Sequence, residues 1–150
     1  MRSRLLALGL AAALFVGTVA CDEALSSLTG PTPDLEPTFS SIQRLIFDQN
    51  DSTGRAACIE CHTSVGRVPA SGLDLTAGGS YARLVGAAVV EKPNATRVIP
   101  GDPDNSYIVQ KLEGAPGIVG TRMPRGSGPF LTEGQMLVVR RWIELGARND

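Results

Sequence analysis

Histidine occurs once in this 150-residue chain, and cysteine only three times. One histidine excludes any site built from two imidazoles of the same chain. It also argues against a structural zinc site, which needs four converging ligands: Cys61 and His62 are sequence neighbours, awkward for joint chelation, and there is no second ligand pair. Aromatic residues make up 5%, which leaves a core short of large side chains. Basic residues are in no excess, the formal net charge being −1. Nucleic acid is therefore not an expected partner, because phosphate binding needs a concentrated basic surface. The carboxylates are dispersed, which gives a paired-acid active site no support, and no glycine-rich phosphate loop or internal repeat occurs. What remains is 43% hydrophobic and 19% charged, a globular composition with length for one ordinary domain.

The longest apolar run, Leu5 to Ala20, falls short of the roughly 20 residues that span a bilayer. Behind the basic start Met1-Arg2-Ser3-Arg4, and ending in small residues, it reads as an export signal over residues 1–20. The junction Gly17-Thr18-Val19-Ala20-Cys21 resembles a bacterial lipobox, with Thr18 where leucine is usual. By that resemblance Cys21 becomes a lipidated N-terminus; plain secretion with an incidental thiol is the alternative. Residues 21–37 are rich in proline and acids and lack apolar periodicity, so they read as a solvated tether, with the domain proper over 38–150.

Within the domain, Thr38 is placed to cap a helix from Phe39 to about Asp48, with Phe39, Ile42 and Ile46 on one face. Gly66 to Gly79 reads as an irregular loop with Leu73 and Leu75 turned inward, and Tyr81 to Val90 as a short helix. Asp102-Pro103 is a helix opening whose segment ends at Gly114. Thr132 and Gln135 predict a capping box for a last helix that stops at Gly146. Its apolar face comprises Met136, Val138, Val139, Trp142, Ile143 and Leu145. No strand pattern competes, and the expected class is all-α.

Between the first two helices stands Cys58-Ile59-Glu60-Cys61-His62. In C-x-x-C-H two thiols, one helical turn apart, add across the vinyl groups of a haem, and the histidine beside them turns its imidazole to the iron. A thioredoxin-like dithiol needs a βαβ pattern that is missing here, and a Cys58–Cys61 disulfide closes too small a loop to stabilise much. The cysteines are then all accounted for: Cys21 for lipid, Cys58 and Cys61 for one covalent haem c, whose macrocycle also supplies the missing apolar bulk.

With His62 spent, a methionine sulfur is the strong candidate for the other axial position of the iron. Met1 leaves with the signal. Met136 lies on the apolar face of the last helix, as a core methionine does. Met123, in Gly120-Thr121-Arg122-Met123-Pro124-Arg125-Gly126, sits in a polar loop with no periodic apolar neighbours, and is the expected distal ligand.

The order helix, C-x-x-C-H, long loop, Met-Pro, terminal amphipathic helix resembles a monohaem class I cytochrome c. More narrowly, Gly72-Leu73-Asp74-Leu75, Pro100-Gly101-Asp102-Pro103-Asp104, Arg122-Met123-Pro124 and Trp142-Ile143-Glu144-Leu145-Gly146-Ala147 resemble the planctomycete-type cytochrome c domain, over about Phe39 to Asp150. The resemblance implies a cytochrome c-like fold, short helices and long loops wrapped around one haem, with first and last helices crossing and Met123 on the iron. The chain departs in one respect: small class I cytochromes often carry Gly-Pro shortly after the haem histidine to orient its ring. Here only Pro69 in Val68-Pro69-Ala70 is present, without the glycine, so the sequence does not name the acceptor for His62.

Three functions are compatible with these residues. The first is an electron carrier, not an enzyme, exported to the periplasmic or cell-surface side and tethered to a membrane by lipid, serving redox partner proteins. Its His62/Met123 ligation leaves no position for dioxygen or peroxide. The second is a haem enzyme or gas sensor with an open sixth position. The third is a non-redox lipoprotein binding module, its haem merely structural or replaced by a C-x-x-C disulfide. Cys21→Ser tests the anchor: a protein that needed detergent for extraction should become soluble or stay unprocessed. An unmodified protein already soluble after export would remove the lipid reading.

Overall fold

The computed structural model describes residues 30–126 and 128–150; the export signal and Cys21 lie outside the described residues. Helix α1 (Phe39–Ile42) opens where expected, with the Thr38 hydroxyl accepting from the Ser41 amide, and runs on into a π-helical turn, Gln43–Phe47. Short 3₁₀ turns follow at Cys58–Glu60 and Ala70–Gly72. Then come α2 (Ser80–Leu84), α3 (Tyr107–Glu113) and α4 (Glu133–Glu144). Among the described residues β-structure is limited to isolated bridges, such as Val85 to Val98. No helix there is long and apolar enough to cross a membrane.

The core is built on Phe39. Its ring packs edge-on against Tyr81 at 5.1 Å and Phe47 at 6.4 Å, and tilted against Trp142 at 5.5 Å, which joins α1 to α4. The chain end completes that junction: Asp150 accepts from the Phe39 amide through its carboxylate and from the Ser40 amide through its main-chain oxygen. These are first-turn amides that no helical carbonyl reaches. Helix α4 has the expected capping box, and Met136, Val138, Val139, Trp142 and Ile143 are buried.

Four expectations change. Leu145 is exposed rather than on the buried face, because α4 ends at Glu144 and the chain turns away. Helix α2 stops at Leu84, well short of Val90: Gly86 breaks it with a left-handed φ of +70°, and the β-branched Val85, Val89 and Val90 favour extended chain, which pairs with residues 95–98 through Gly86 to Val98 and Val89 to Ala95 hydrogen bonds. Asp102-Pro103 opens a turn and no helix: Asp102 accepts from the Asn105 amide as a cap does, but the amides of Tyr107 and Ile108 go to carbonyls of another segment. Helix α3 begins only at Tyr107, its first amides taken by the carbonyls of Thr96 and Arg97. Finally, the stretch expected to be a solvated tether is partly built in: Leu35 is in the core, and buried Thr32 accepts from the Gln135 side chain. A single leucine among prolines and acids has no periodicity to announce that burial.

Arg55 has no exposed side-chain surface. Its guanidinium donates to the Asp51 carboxylate at 2.9 Å and to the carbonyls of Leu45, Ile46, Gln49 and Ala56. Three of these carbonyls belong to the end of the α1–π segment or just follow it, so the arginine caps that segment. Burial alone would raise the Asp51 carboxyl, but hydrogen bonds from the Thr53 hydroxyl and amide, with Arg55 beside it, bring it below the usual value.

Arg55→Met should cost about 3–5 kcal/mol in urea unfolding, because it leaves a buried carboxylate and several carbonyls unpaired. Asp51, whose folded pKa is lowered, contributes stability that is complete above about pH 4 and is lost as pH falls through the folded value. Asp51→Asn should therefore flatten the acid limb of stability against pH.

Candidate functional site

A cavity of ≈ 320 Å³ lies between the C-x-x-C-H turn and α3. Phe47, Leu73, Leu75, Leu84, Val89 and Leu112 make its lining largely apolar. Cys58, Cys61 and His62 line it, and so does Met123. The four residues singled out for haem are thus brought to one cleft. Met136 is not on it, being buried in the core on α4. Charged side chains, among them Glu91, Arg97, Lys111 and Arg125, also border the cleft.

The local sequence sets the proximal wall. The Cys58–Glu60 turn closes with the amides of Cys61 and His62 on the Cys58 carbonyl, at 3.3 and 2.9 Å. Both cysteines are free thiols, Cys58 half-buried and Cys61 exposed. Burial pushes the Cys58 thiol up to about 11, with Arg55 acting against it, so the sulfur carries its proton at neutral pH. The Cys58 thiol donates to the Ile46 carbonyl at 3.6 Å.

His62 answers what its sequence left open. Its Nδ1 lies 3.1 Å from the Ala70 carbonyl and 3.2 Å from that of Leu73. Carbonyls only accept, so Nδ1 carries the hydrogen. Burial lowers the pKa of the ring, outweighing the raising effect of those two carbonyls, and the imidazole is neutral at pH 7. A neutral ring protonated at Nδ1 has its lone pair on Nε2, the form a metal ligand requires. The loop after Pro69 thus does the work expected of Gly-Pro. It is also tied on by main-chain bonds, Ala70 to Cys61 at 3.1 Å and Leu75 to His62 at 2.8 Å.

Asp74 locks this loop. Its buried carboxylate accepts from the Ser64 hydroxyl at 2.6 Å and the Thr76 amide at 2.9 Å. The Ser64 hydroxyl, followed by the Thr76 hydroxyl and amide, holds its pKa well below the usual carboxylate range. Sequence reasoning noted Gly72-Leu73-Asp74-Leu75 only as a likeness and missed the aspartate's part. It missed Arg55 altogether, although an aspartate four residues before an arginine, just ahead of the cysteines, is a readable pair. Among the described residues no three His, Cys, Asp or Glu side chains converge as a metal cluster.

The donor set fits a covalently attached haem: two free thiols one turn apart, a neutral imidazole with Nε2 unspent, an apolar cleft, and a thioether bordering it. Compared with family models, curated proteins and solved structures, the chain matches none.

Asp74→Ala should speed hydrogen exchange of the Leu75 amide by about an order of magnitude, the factor that one lost hydrogen bond allows. Asp74→Asn, which keeps one acceptor oxygen for either the Ser64 hydroxyl or the Thr76 amide, should lie between the unmodified protein and the alanine variant.

Proposed function

We propose that this chain is an exported monohaem c-type cytochrome that carries electrons. The observation that carries the reading is the placement of His62, with Nδ1 committed to two carbonyls, in a cleft it shares with two free cysteines and Met123. Cys58 and Cys61 would hold haem c through thioethers, His62 would bind the iron from one side, and Met123 would take the other. When bound, haem supplies a one-electron ferric/ferrous couple, and a thioether ligand favours the ferrous state.

The chain's own residues supply the rest. The apolar lining keeps water from the site, and the Ala70 and Leu73 carbonyls hold the imidazole in one orientation. Arg97 and Arg125 put positive charge on the border of the cleft, where carboxylates of the cofactor would be offset. Cys61 is exposed, so the thioether side faces partners. Those partners are redox proteins, with no part for nucleic acid, on the periplasmic or cell-surface side of a bacterial membrane to which Cys21 anchors the chain.

Matured protein should keep its haem through denaturation and acid-acetone extraction, and replacing both Cys58 and Cys61 should abolish that retention. The oxidised protein should be low-spin with the weak long-wavelength sulfur-to-iron band. Met123→Ala should remove the band, lower the potential and admit carbon monoxide. Met136→Ala should leave the band and instead cost about 2–5 kcal/mol of stability, as truncating a buried methionine does. A high-spin unmodified protein that binds carbon monoxide rapidly would move the assignment to a sensor or peroxidase-like enzyme.

A further inference from the structure

The segment that leads to Met123 is irregular and largely exposed. Val119, Gly120 and Thr121 are exposed, and Met123 is only half-buried. Helix α3 holds it. The Lys111 ammonium donates to the Val119 carbonyl at 2.8 Å and to the Thr121 carbonyl at 2.6 Å, and the Lys111 main-chain oxygen accepts from the Met123 amide at 2.9 Å. Residues 119, 121 and 123 are alternate positions, so one side of an irregular segment is laid along one lysine.

Two neighbours of Lys111 on α3 add to this. The Tyr107 hydroxyl accepts from the Val119 amide at 2.9 Å, and the Leu112 carbonyl accepts from Arg122 Nε at 2.7 Å. Lys111 forms no ion pair among the described residues. Its charge is therefore spent on main-chain oxygens, where a charge-assisted bond is stronger than a neutral one. Lys111 and Tyr107 themselves line the cleft.

We propose that Lys111 is the positioning residue for Met123: its ammonium and its carbonyl clamp the Val119–Met123 segment to α3, so that the thioether stays at the cleft. The inference rests on the carrier reading and deepens it. Without the ammonium the segment keeps the main-chain bond from the Met123 amide to Lys111 and the contacts of Tyr107 and Arg122, and the thioether spends more time away from the iron.

The test uses matured holoprotein with two readouts, the sulfur-to-iron band of the oxidised form and carbon monoxide association with the reduced form. Lys111→Leu should weaken the band and speed association about tenfold or more, the factor expected from losing hydrogen bonds of this kind. Lys111→Arg, which restores charged donors, should recover most of both. Tyr107→Phe, which changes no charge, should shift both readouts in the same direction by less, and carries the test if Lys111→Leu does not mature. Unchanged band and association rate in Lys111→Leu, whatever happens to its unfolding midpoint, overturns the assignment. So does a loss that Lys111→Arg fails to recover. If the unmodified protein lacks the band, the carrier reading falls and takes this inference with it; if the band is present and only the variants are silent, this inference falls alone.

Discussion

An arginine with no exposed surface has to satisfy its charge and five N–H donors inside the protein. Arg55 does so against Asp51 and four main-chain carbonyls, three of them at the end of the first helical segment. That requirement draws three pieces of chain to one point: the end of α1, the turn over residues 51–55, and the lead into Cys58. The network continues from Asp51 to the Gln135 side chain at 3.5 Å, and from Gln135 to Thr32 at 3.0 Å. Gln135 is itself half of the α4 capping box. The start of the described chain, its last helix and the approach to the C-x-x-C-H turn are thus joined by one connected set of buried polar groups. Among the described residues no buried side-chain nitrogen or oxygen is left without a partner.

That anchorage explains where the apolar core lies and where it stops. The close aromatic contacts all include Phe39, on the side where α1 meets α4. The cleft, which Ile46 and Phe47 also line, is bordered elsewhere mainly by leucine, valine and alanine side chains, with Tyr107 its other aromatic residue. A low aromatic content is affordable when a flat apolar group completes the second half of the core, which is what the proposed haem would do. On this reading cofactor binding and folding are one process, since a group that binds only the folded chain stabilises it.

Legibility followed the range of the interactions. The α4 capping box and the Thr38 cap were readable because each lies within four residues of sequence. The stop of α3 was readable for the same kind of reason: Gly114 adopts φ +73°, and a Cβ there would meet the Arg122 side chain at 3.1–3.3 Å. The end of α2, by contrast, depends on residues 95–98 offering extended partners, and the late start of α3 on the Thr96 and Arg97 carbonyls taking its first amides. Neither is local enough to infer from propensity. At the site, Cys58, Cys61, His62 and Met123 were legible as residue types in a pattern. The groups that orient them were not, because carbonyls of Ala70 and Leu73 have no side-chain signature. Lys111 was hidden differently, as one more cation on a short amphipathic helix.

The two walls of the cleft are built by unlike means, and the difference bears on what the site can do. The proximal wall comes from one stretch of chain: the cysteines and His62 share one turn, and the loop that follows orients the ring and is bonded back to that turn through Ala70 and Leu75. Opening it means breaking a compact, Asp74-locked unit. The distal side depends on a loop from much later in the chain, docked to α3 through Lys111, Tyr107 and Leu112, with Val119, Gly120 and Thr121 exposed. Local opening follows the least buried and least bonded segments, so the Met123 side opens first. In the proposed cytochrome the choice between a closed electron carrier and an iron open to small ligands is therefore an equilibrium of the loop against α3. The C-x-x-C-H turn has little influence on it. A small change in the α3 contacts would shift that balance while leaving haem attachment and the fold intact.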